Sequence, residues 1–475
     1  MKTKQTIAGW LTLLALATFN LQHSTAFGGL MFPIVTNDTA ATGFGVACAG
    51  TNYLVGIEGD ITANDEYQIT AQLFDPTGTP VGARISPVPG HTGGNPFVAS
   101  SGTNFLMVWP DDYLNGNHSS VNGQIITPSG VLSGGWFAIT ANAEQHFNSI
   151  ESVAYGGGKY LVVWNDYSNG TNVYGQLVAA NGTLIGGNFL ICPLVIGQYS
   201  KGAAVASDGT NFLVVWQYSN SGANQDTNVT YGVFVSPAGT VGTPFVIGQT
   251  WSAAPNTLYA IFNGTNYLVA YNSSTNPNDG AKPVYGRFVT PAGTFPGNEF
   301  VIVTNGNARV PALAFDGNNY LLCWNNNLGA TNSAVQCQFL NAGGQPMGPQ
   351  FTPFLAQSNE APLAAIPIYD GKRFVLIATL SADGFDPTND AGIYGAFIPA
   401  STTPPQFCAG TCYSNKQCAL TLAGTPGINY AIEMATNLVA ASWTSIVTNS
   451  PTNGPFTFTD PCATNSSRFY RAVKQ

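Results

Sequence analysis

The chain has few charged residues. Aspartate, glutamate, lysine and arginine make up 8% of its 475 residues, against roughly 25% in an average soluble domain. The basic residues are scattered and form no stripe or cluster. Nucleic-acid binding requires a concentrated positive footprint, so this composition excludes a nucleic acid as the partner. The polar surface must be built from Asn, Ser, Thr and Gly, a composition that favours an exported protein.

Catalytic motifs are also missing. The chain contains no G-x-S-x-G nucleophile elbow and no G-x-x-x-x-G-K-[ST] phosphate loop. A sialidase-like enzyme would need an S-x-D-x-G-x-x-W turn and three arginines. The turn at 207–216 reads SDGTNFLVVW instead, and Arg84 and Arg287 fall inside predicted strands. Histidine occurs four times, which makes a general base scarce. A protein without catalysis is therefore the favoured interpretation.

A long apolar run occurs only at the start of the chain. Lys2 and Lys4 precede a mostly apolar stretch from Ile7 to Phe19, and small residues lead up to Ala26. This pattern is typical of a signal peptide, and the run is shorter than the about 20 apolar residues that a membrane span needs. We predict cleavage near Ala26 and a secreted, periplasmic or cell-surface location, with a retained membrane anchor as the alternative. Cleavage removes two lysines and no acid, so 12 basic and 23 acidic residues remain, a net charge of −11.

Eight cysteines in an exported chain permit disulfide bonds. Cys323 and Cys337 are predicted on adjacent strands, where a cross-strand bridge can form. Cys48 and Cys192 have no evident partner. The cysteines near the C-terminus allow three pairings, among which the sequence does not choose. These are Cys408, Cys412, Cys418 and Cys462. A zinc site is the alternative for this last group, although its spacing lacks the usual two-residue gaps.

A glycine turn followed by an apolar strand recurs seven times. SGTNFLMVW at 101–109, SDGTNFLVVW at 207–216 and FNGTNYLVAY at 262–271 are three copies. Three residues after the turn glycine, an aromatic residue opens the strand, and we call it the opening aromatic. The turn glycines are Gly50, Gly102, Gly157, Gly209, Gly264, Gly317 and Gly371. The opening aromatics are Tyr53, Phe105, Tyr160, Phe212, Tyr267, Tyr320 and Phe374. Their spacing of 52 to 55 residues predicts a repeat architecture.

Each repeat contains four predicted strands. A strand with a small residue, such as Ala47 or Ala99, precedes the glycine turn, and the LVVW-type strand follows it. A polar loop then leads to a YG-type strand such as VYGQLV at 173–178, and a second glycine turn leads to a strand such as FVI at 245–247. The glycines predicted for the second turn are Gly78, Gly130, Gly182, Gly239, Gly293 and Gly343. Glycine suits both turns because it adopts positive φ without steric cost.

Seven four-stranded repeats without helical periodicity predict an all-β fold, a seven-bladed β-propeller. A row of small sandwiches or a β-solenoid is the alternative. The seventh repeat lacks its fourth strand, because IYGAFIPAS runs directly into TTPPQ. MFPIVTN at 31–37 is similar to EFVIVTN at 299–305, the fourth strand of the fifth repeat. We therefore predict that the N-terminal strand closes the last blade, which removes the sheet edges that an open array would expose.

These repeats, over residues 31–401, resemble a propeller family found on many exported bacterial proteins. The units of that family read approximately dG.nyLVVW, then iYG.rv, then a second glycine turn. The resemblance implies the propeller fold and says almost nothing about chemistry.

The tail after Pro404-Pro405 alternates apolar and polar residues at strand spacing. It resembles a C-terminal β-sandwich module of exported bacterial proteins, and the resemblance implies a role in attachment, sorting or sugar contact. The matching residues are Gly427, Tyr430, Ile432, Asn437, Leu438, Trp443, Phe458, Asp460, Arg468, Phe469, Tyr470 and Arg471. Tyr430 and Trp443 could stack on a sugar, but we predict core positions for both. The predicted domains are a signal peptide at 1–26, the propeller at 27–402, and the linker with the β-sandwich at 403–475.

The connectivity of an antiparallel blade predicts where a ligand would bind. The first and third turns lie at one end of the blade and are tight glycine turns. The long polar loops and the crossovers between blades lie at the other end, which we call the loop end. The candidate ligand-binding residues are His91, Asp111, Asp112, Glu144, His146, Asp166, Trp251, Arg309 and Glu360.

Two groups among these residues contain metal-ligand types. His91, Glu144 and His146 are a legitimate zinc set, but they belong to crossovers of neighbouring blades, and nothing in the sequence brings them together. The three aspartates offer hard oxygens for calcium. Later repeats read Gln217, Asn272 and Asn325 at what looks like the matching position. We predict no cofactor and no metal, with calcium as the alternative.

The favoured function is a monomeric, non-catalytic binding or scaffold protein that presents its loop end to a glycan or a protein. A secreted carbohydrate-active hydrolase or lyase that uses loop carboxylates is the first alternative. A structural component of the cell envelope is the second.

Overall fold

A computed structural model shows the chain as an all-β protein in the residues that it describes. These residues are 31–35, 44–61, 67–88, 94–112, 119–140, 148–166, 172–192, 198–220, 227–251, 258–272, 283–304, 308–326, 334–354, 361–381, 392–399, 406–412, 418–423, 430–436, 443–449, 456–460 and 469–474. Every helix or strand assigned within them is a β-strand. They contain no helix of a length and apolarity that would carry the chain across a membrane.

The strands of the repeats form seven four-stranded antiparallel sheets among the described residues. We number the sheets in chain order. Sheet 1 contains β2 (Phe44–Ala49), β3 (Asn52–Ile61), β4 (Tyr67–Phe74) and β5 (Pro80–Ile85); sheet 2 contains β6 (Phe97–Ser100), β7 (Phe105–Asp112), β8 (Ser119–Ile126) and β9 (Leu132–Ala138); sheet 3 contains β10 (Asn148–Gly156), β11 (Lys159–Asp166), β12 (Asn172–Ala179) and β13 (Leu184–Cys192); sheet 4 contains β14 (Gln198–Ser207), β15 (Phe212–Asn220), β16 (Thr227–Val235) and β17 (Phe245–Trp251).

The remaining sheets of the repeats follow the same order. Sheet 5 contains β18 (Leu258–Phe262), β19 (Tyr267–Asn272), β20 (Val284–Val289) and β21 (Phe300–Val303); sheet 6 contains β22 (Ala308–Phe315), β23 (Asn319–Asn326), β24 (Ala334–Asn341) and β25 (Pro346–Phe351); sheet 7 contains β26 (Ala361–Tyr369), β27 (Arg373–Ser381), β28 (Gly392–Pro399) and, outermost, β1 (Met31–Val35). The predicted chain of repeated four-stranded antiparallel sheets is confirmed.

Sheet 7 takes its fourth strand from the start of the repeat region. β1 pairs antiparallel with β28, and Phe32 lies opposite Gly395. The Phe32 ring packs directly over this glycine. A Cβ atom on residue 395 would overlap the ring, so glycine is needed there. Phe300 packs over Gly286 of sheet 5 in the same way. β1 therefore occupies in sheet 7 the place that an internal fourth strand occupies in the other sheets.

The chain divides into two compact units. The larger contains the repeats apart from Asn318–Tyr320 and Gln338–Pro349, and the smaller contains those two segments and the chain from Pro399. The tail forms two three-stranded sheets. One contains β29 (Gln406–Cys412), β30 (Cys418–Ala423) and β33 (Phe456–Asp460), and the other contains β31 (Tyr430–Ala435), β32 (Thr444–Asn449) and β34 (Phe469–Lys474). Tyr470 donates a hydrogen bond to Asp460 between these sheets, with an O–O distance of 2.7 Å.

The glycine turns adopt the predicted backbone conformation. All seven first-turn glycines have positive φ, from 57° at Gly157 to 97° at Gly317. The second turns follow the prediction in sheets 1 to 5, but in sheet 6 the residue with positive φ is Gly344 and not Gly343. The Gly344 N–H donates to the Asn341 carbonyl, as the Gly293 N–H donates to Thr290 in sheet 5. The prediction was one residue off because two glycines stand side by side.

The second strand of each sheet is buried on both sides between its neighbours. In β3, Val55 and Ile57 pack with Val375 and Ile377 of sheet 7, while Leu54 packs with residues of sheet 2. Successive side chains of a strand point to opposite faces, so a strand held between two sheets must be apolar in nearly every position. The LVVW-type runs meet this requirement.

Hydrogen bonds between neighbouring sheets repeat around the glycine turns. The hydroxyl of Tyr160 donates to the Asn104 carbonyl in the turn of sheet 2, and that of Tyr267 donates to the Asn211 carbonyl in the turn of sheet 4. The Tyr53 hydroxyl donates to Asp370 in the turn of sheet 7. In three sheets, the hydroxyl of the opening aromatic thus bonds to the glycine turn of another sheet.

A buried glutamine recurs in the third strand and was not predicted. In sheet 3, the Gln176 amide lies within hydrogen-bond distance of the carbonyls of Leu177, Ile185 and Gly186. The strand register shifts at this point, between Gly175 and Leu177. Such a bulge leaves backbone groups unpaired, and the amide satisfies them. Equivalent glutamines with the same contacts are Gln72, Gln124 and Gln338.

Candidate functional site

The described candidate residues lie at strand ends opposite the glycine turns. Asp112 and Asp166 are the last residues of β7 and β11, and Asp111 precedes Asp112. Trp251 ends β17, and Arg309 is the second residue of β22. Of these residues, the structure describes the side-chain burial of Asp166, which is partly buried.

The remaining candidates fall outside the described residues. They are His91, Glu144, His146 and Glu360. The zinc set of two histidines and a glutamate thus stays a hypothesis from the sequence. Within the described part of the chain, no three His, Cys, Asp or Glu side chains are grouped so that they could hold a metal ion.

The pairing of the second and third strands corrects the predicted counterpart of Asp166 in the later repeats. Asn165 lies opposite Val173 in sheet 3, and Gln217 lies opposite Thr230 in sheet 4. These partners each precede the Tyr-Gly pair of their third strand, so Asn165 is the counterpart of Gln217. Asp166 corresponds to Tyr218, one residue later. The prediction that the later amides replace Asp166 was wrong, because the aspartate and the amide are neighbours in sequence.

A set of buried polar residues lies at the loop end of the second strands. Each member stands five residues after the opening aromatic of its sheet. We call this group the loop-end polar set: Glu58, Asn165, Gln217, Asn272, Asn325 and Thr379. Their exposed fractions run from 0% to 8%. Sheet 2 has Pro110 at this position. Comparison of the repeats by sequence marks Gln217, Asn272 and Asn325 only as positions where a carboxylate is missing. Counting five residues from each opening aromatic is the signal that reveals the whole set.

Members of the loop-end polar set make hydrogen bonds to backbone or side-chain groups near the loops. The Glu58 carboxylate accepts a hydrogen bond from the Asn95 N–H, at 2.8 Å, where the chain enters sheet 2. Gln217 donates to the Thr230 hydroxyl at 3.2 Å, within sheet 4. Buried polar groups are costly unless they are hydrogen-bonded, so these contacts explain how polar residues are accommodated there.

Two members keep unsatisfied oxygens. Within the described chain, Asn325 Oδ1 and Thr379 Oγ1 are buried without a hydrogen-bond partner. A buried acceptor or hydroxyl without a partner costs about 1 to 3 kcal/mol. These two atoms belong to neighbouring sheets, 6 and 7, and give their loop end unused hydrogen-bonding capacity.

A cysteine and a tyrosine meet between sheets 3 and 4. Cys192 Sγ lies 2.8 Å from the Tyr218 hydroxyl oxygen, and both residues are buried. Burial raises the pKa of the Cys192 thiol and, together with the neighbouring thiol, the pKa of Tyr218. Both groups are therefore neutral at physiological pH, and the pair is a buried hydrogen bond and not a reactive centre.

The second free thiol, Cys48, is partly exposed. Burial raises the pKa of Cys48 from 9.0 to about 11, with a smaller contribution from the Asp370 carboxylate. The thiolate is the reactive form, so we expect alkylation of Cys48 by iodoacetamide at pH 8 to be about 100-fold slower than that of an ordinary thiol. The rate should rise about tenfold per pH unit up to pH 10. Peptide mapping measures both thiols, and Cys192 should react only after unfolding. Alkylation of native Cys48 at the rate of free cysteine would contradict this expectation.

Comparisons with solved structures show what the fold is similar to. The polysaccharide lyase Uly1 aligns with a TM-score of 0.50 and 10% sequence identity, over 80% of this chain and 94% of the lyase. The β-propeller domain of the trilobed protease from Pyrococcus furiosus aligns with a TM-score of 0.46 and 9% identity, over 76% of this chain and 99% of that domain. At such identity the likeness to the lyase concerns the fold alone. The sequence matches no protein-family model, and a comparison with curated proteins gives no match.

Proposed function

We propose that sheets 1 to 7 are the seven blades of one closed β-propeller. The first strands of consecutive sheets contact one another, and β26 of sheet 7 contacts β2 of sheet 1. Hydrogen bonds from the residue before the opening aromatic support the same closure, because its side chain donates to the second turn of the next sheet. Asn52 of sheet 1 donates to the Pro128 carbonyl in the second turn of sheet 2. Arg373 of sheet 7 donates to the Pro76 carbonyl in the second turn of sheet 1. The last and first sheets thus make the contact that neighbouring sheets make.

The function that we propose is non-catalytic binding of a glycan or a protein at the loop end. The loop-end polar set carries this proposal. Its members other than Glu58 are neutral amides or a hydroxyl, groups that donate and accept hydrogen bonds at physiological pH without titrating. A surface supported by such groups suits recognition of a hydroxyl-rich or polar partner. The protein would be exported through the signal peptide at 1–26, and the module at 403–475 would attach or sort it.

A glycan array tested beside depolymerisation assays distinguishes this function from its alternative. The purified full-length protein should bind one or more glycans on the array and release no oligosaccharide from the corresponding polysaccharides. Release above the buffer control would favour the secreted hydrolase or lyase. If the protein binds no glycan, the proposed partner is a protein, which cross-linking on the surface of the producing cell would identify.

Substitution of two loop-end aspartates tests the location of the site. We expect Asp111→Ala combined with Asp166→Ala to weaken binding of the array glycan several-fold. The free energy of unfolding should change by less than about 1 kcal/mol, because both residues lie at the loop end of their strands, beyond the apolar part of the strand, and substitutions outside a packed core have small effects. Asp75→Ala is the matched control, since Asp75 lies in a glycine turn at the opposite end, where it accepts from Thr77 and Thr79. Equal loss of binding in the control, or a large loss of stability in the double variant, would contradict the loop-end site.

A further inference from the structure

The tail carries a cluster of three side chains on the sheet formed by β32, β31 and β34. Glu433 of β31 lies directly opposite Arg471 of β34. Arg471 Nε and Nη2 each lie 2.6 Å from Glu433 Oε2. The Arg471 guanidinium also stands over the Trp443 ring, with its carbon 4.3 Å from the ring centroid. Trp443 immediately precedes β32, so the cluster combines side chains of β31 and β34 with the residue that leads into β32.

This cluster lies on the side of the sheet away from its core. Ile432, next to Glu433, packs in the core with Tyr430, Val447 and Phe458. Successive side chains of a strand point to opposite faces, so Glu433 points away from that core. The side chain of Arg471 is 47% exposed. Tyr430 is 2% exposed, which confirms its predicted core position. Trp443 is partly exposed and packs against Arg471 and not with these core residues, so the core position predicted for it was wrong.

The contacts within this cluster contribute little to the stability of the folded tail. An ion pair at a protein surface contributes about 0 to 1 kcal/mol, and an exposed cation–π contact contributes about 0.5 to 1 kcal/mol. The pair here is partly exposed, since the Glu433 side chain is 18% exposed. What the cluster does provide is a partly exposed indole, a planar guanidinium and a carboxylate in mutual contact. An aromatic ring accepts the C–H face of a pyranose, and guanidinium and carboxylate groups supply donors and acceptors for its hydroxyls. The two charges compensate each other, so the cluster favours a neutral sugar.

We propose that Trp443, Arg471 and Glu433 form a binding site for neutral polysaccharides. This site belongs to the tail and is separate from the loop-end site of the repeats. Either site can fail its test without the other, because the variants that probe them lie in different units.

Affinity electrophoresis of the full-length protein in gels that contain laminarin, xyloglucan or galactomannan tests the site. The parent should be retarded by one or more of these polysaccharides. Trp443→Ala should weaken binding more than tenfold, equivalent to about 1.4 kcal/mol, and Arg471→Lys several-fold, because lysine cannot stack as a plane. Trp136→Ala is the matched control, since Trp136 is a 43% exposed tryptophan of the repeats. It should leave binding unchanged.

Further variants separate binding from folding. Trp443→Phe keeps an aromatic ring and should fold with the parent's thermal midpoint while it weakens binding less than Trp443→Ala. Glu433→Gln removes the ion pair but keeps a hydrogen-bonding group, and it should retain measurable binding. Three results would overturn the proposal: no retardation of the parent by any of the three polysaccharides, equal retardation of the parent and Trp443→Ala, or an equal loss in Trp136→Ala. If polysaccharide binding is unchanged in the double variant Asp111→Ala with Asp166→Ala but is lost in Trp443→Ala, the binding site lies in the tail.

Discussion

Deletion of residues 27–37 is expected to destabilise the whole repeat region. This deletion removes β1, the outer strand of sheet 7, and exposes the edge of β28. It also removes Phe32, whose ring lies 4.8 Å from that of Phe397 and 6.0 Å from that of Phe74. These two partners belong to sheets 7 and 1, so β1 joins the last sheet to the first. Thermal unfolding followed by circular dichroism measures the loss.

Single substitutions in β1 separate packing from strand pairing. Phe32→Ala should lower the free energy of unfolding by about 3 to 5 kcal/mol, the usual cost of truncating a buried aromatic residue to alanine. Gly395→Ala should be strongly destabilising as well, because the added methyl group needs the space of the Phe32 ring. Pro33 is exposed, so Pro33→Ala is the control and should be nearly neutral. A truncated protein that melts like the parent would refute the closure by β1.

Replacement of the disulfide bond in sheet 6 is expected to cost about 3 kcal/mol of unfolding free energy, the value for a bridge that closes a loop of about 15 residues. Cys323 and Cys337 are bridged with a sequence separation of 14, and both are fully buried. In sheet 3 the position equivalent to Cys323, three residues after the opening aromatic, holds Val163. The position equivalent to Cys337 holds Gly175, the glycine of the Tyr-Gly pair, and Gly175 lies opposite Val163. The double variant Cys323→Val with Cys337→Gly therefore installs a pair that this fold already accommodates.

This double variant should fold with the parent's circular dichroism spectrum and unfold at lower denaturant concentration. Cys48→Ala is the control, because Cys48 is a free, partly exposed cysteine, and it should change the unfolding midpoint little. Mapping of peptides under non-reducing conditions should first recover the bridged pair from the parent. An unchanged midpoint in the double variant would mean that the bridge contributes nothing to stability.

The local parts of the fold could be predicted from the sequence. A turn glycine such as Gly209 is recognisable because positive φ is a property of the residue itself. A run such as LVVW is recognisable because burial on both faces demands apolar residues in succession. Even β1 could be placed, since its sequence repeats that of another fourth strand. These signals need no knowledge of neighbouring sheets.

The candidate site was far less predictable. Charged residues near the loops, such as Asp111 and Asp166, stand out in the sequence, whereas the loop-end polar set consists mostly of amides that resemble any surface Asn or Gln. Their burial follows from the packing of one sheet against the next. The same holds for Gln176, whose amide reaches carbonyls of the neighbouring strand at a bulge that no local pattern reveals.

The sequence by itself determined the period, the strands, the turns and the pairing partner of β1, because each depends on backbone preference and on burial along a single strand. The tertiary structure alone decided which polar groups are buried and what they bind. The Tyr53 hydroxyl meets Asp370 across 317 residues of chain, and Trp443 meets Arg471 on the outer side of a sheet whose core holds Tyr430. Such contacts depend on distances between elements that are remote in sequence, and no local preference encodes those distances.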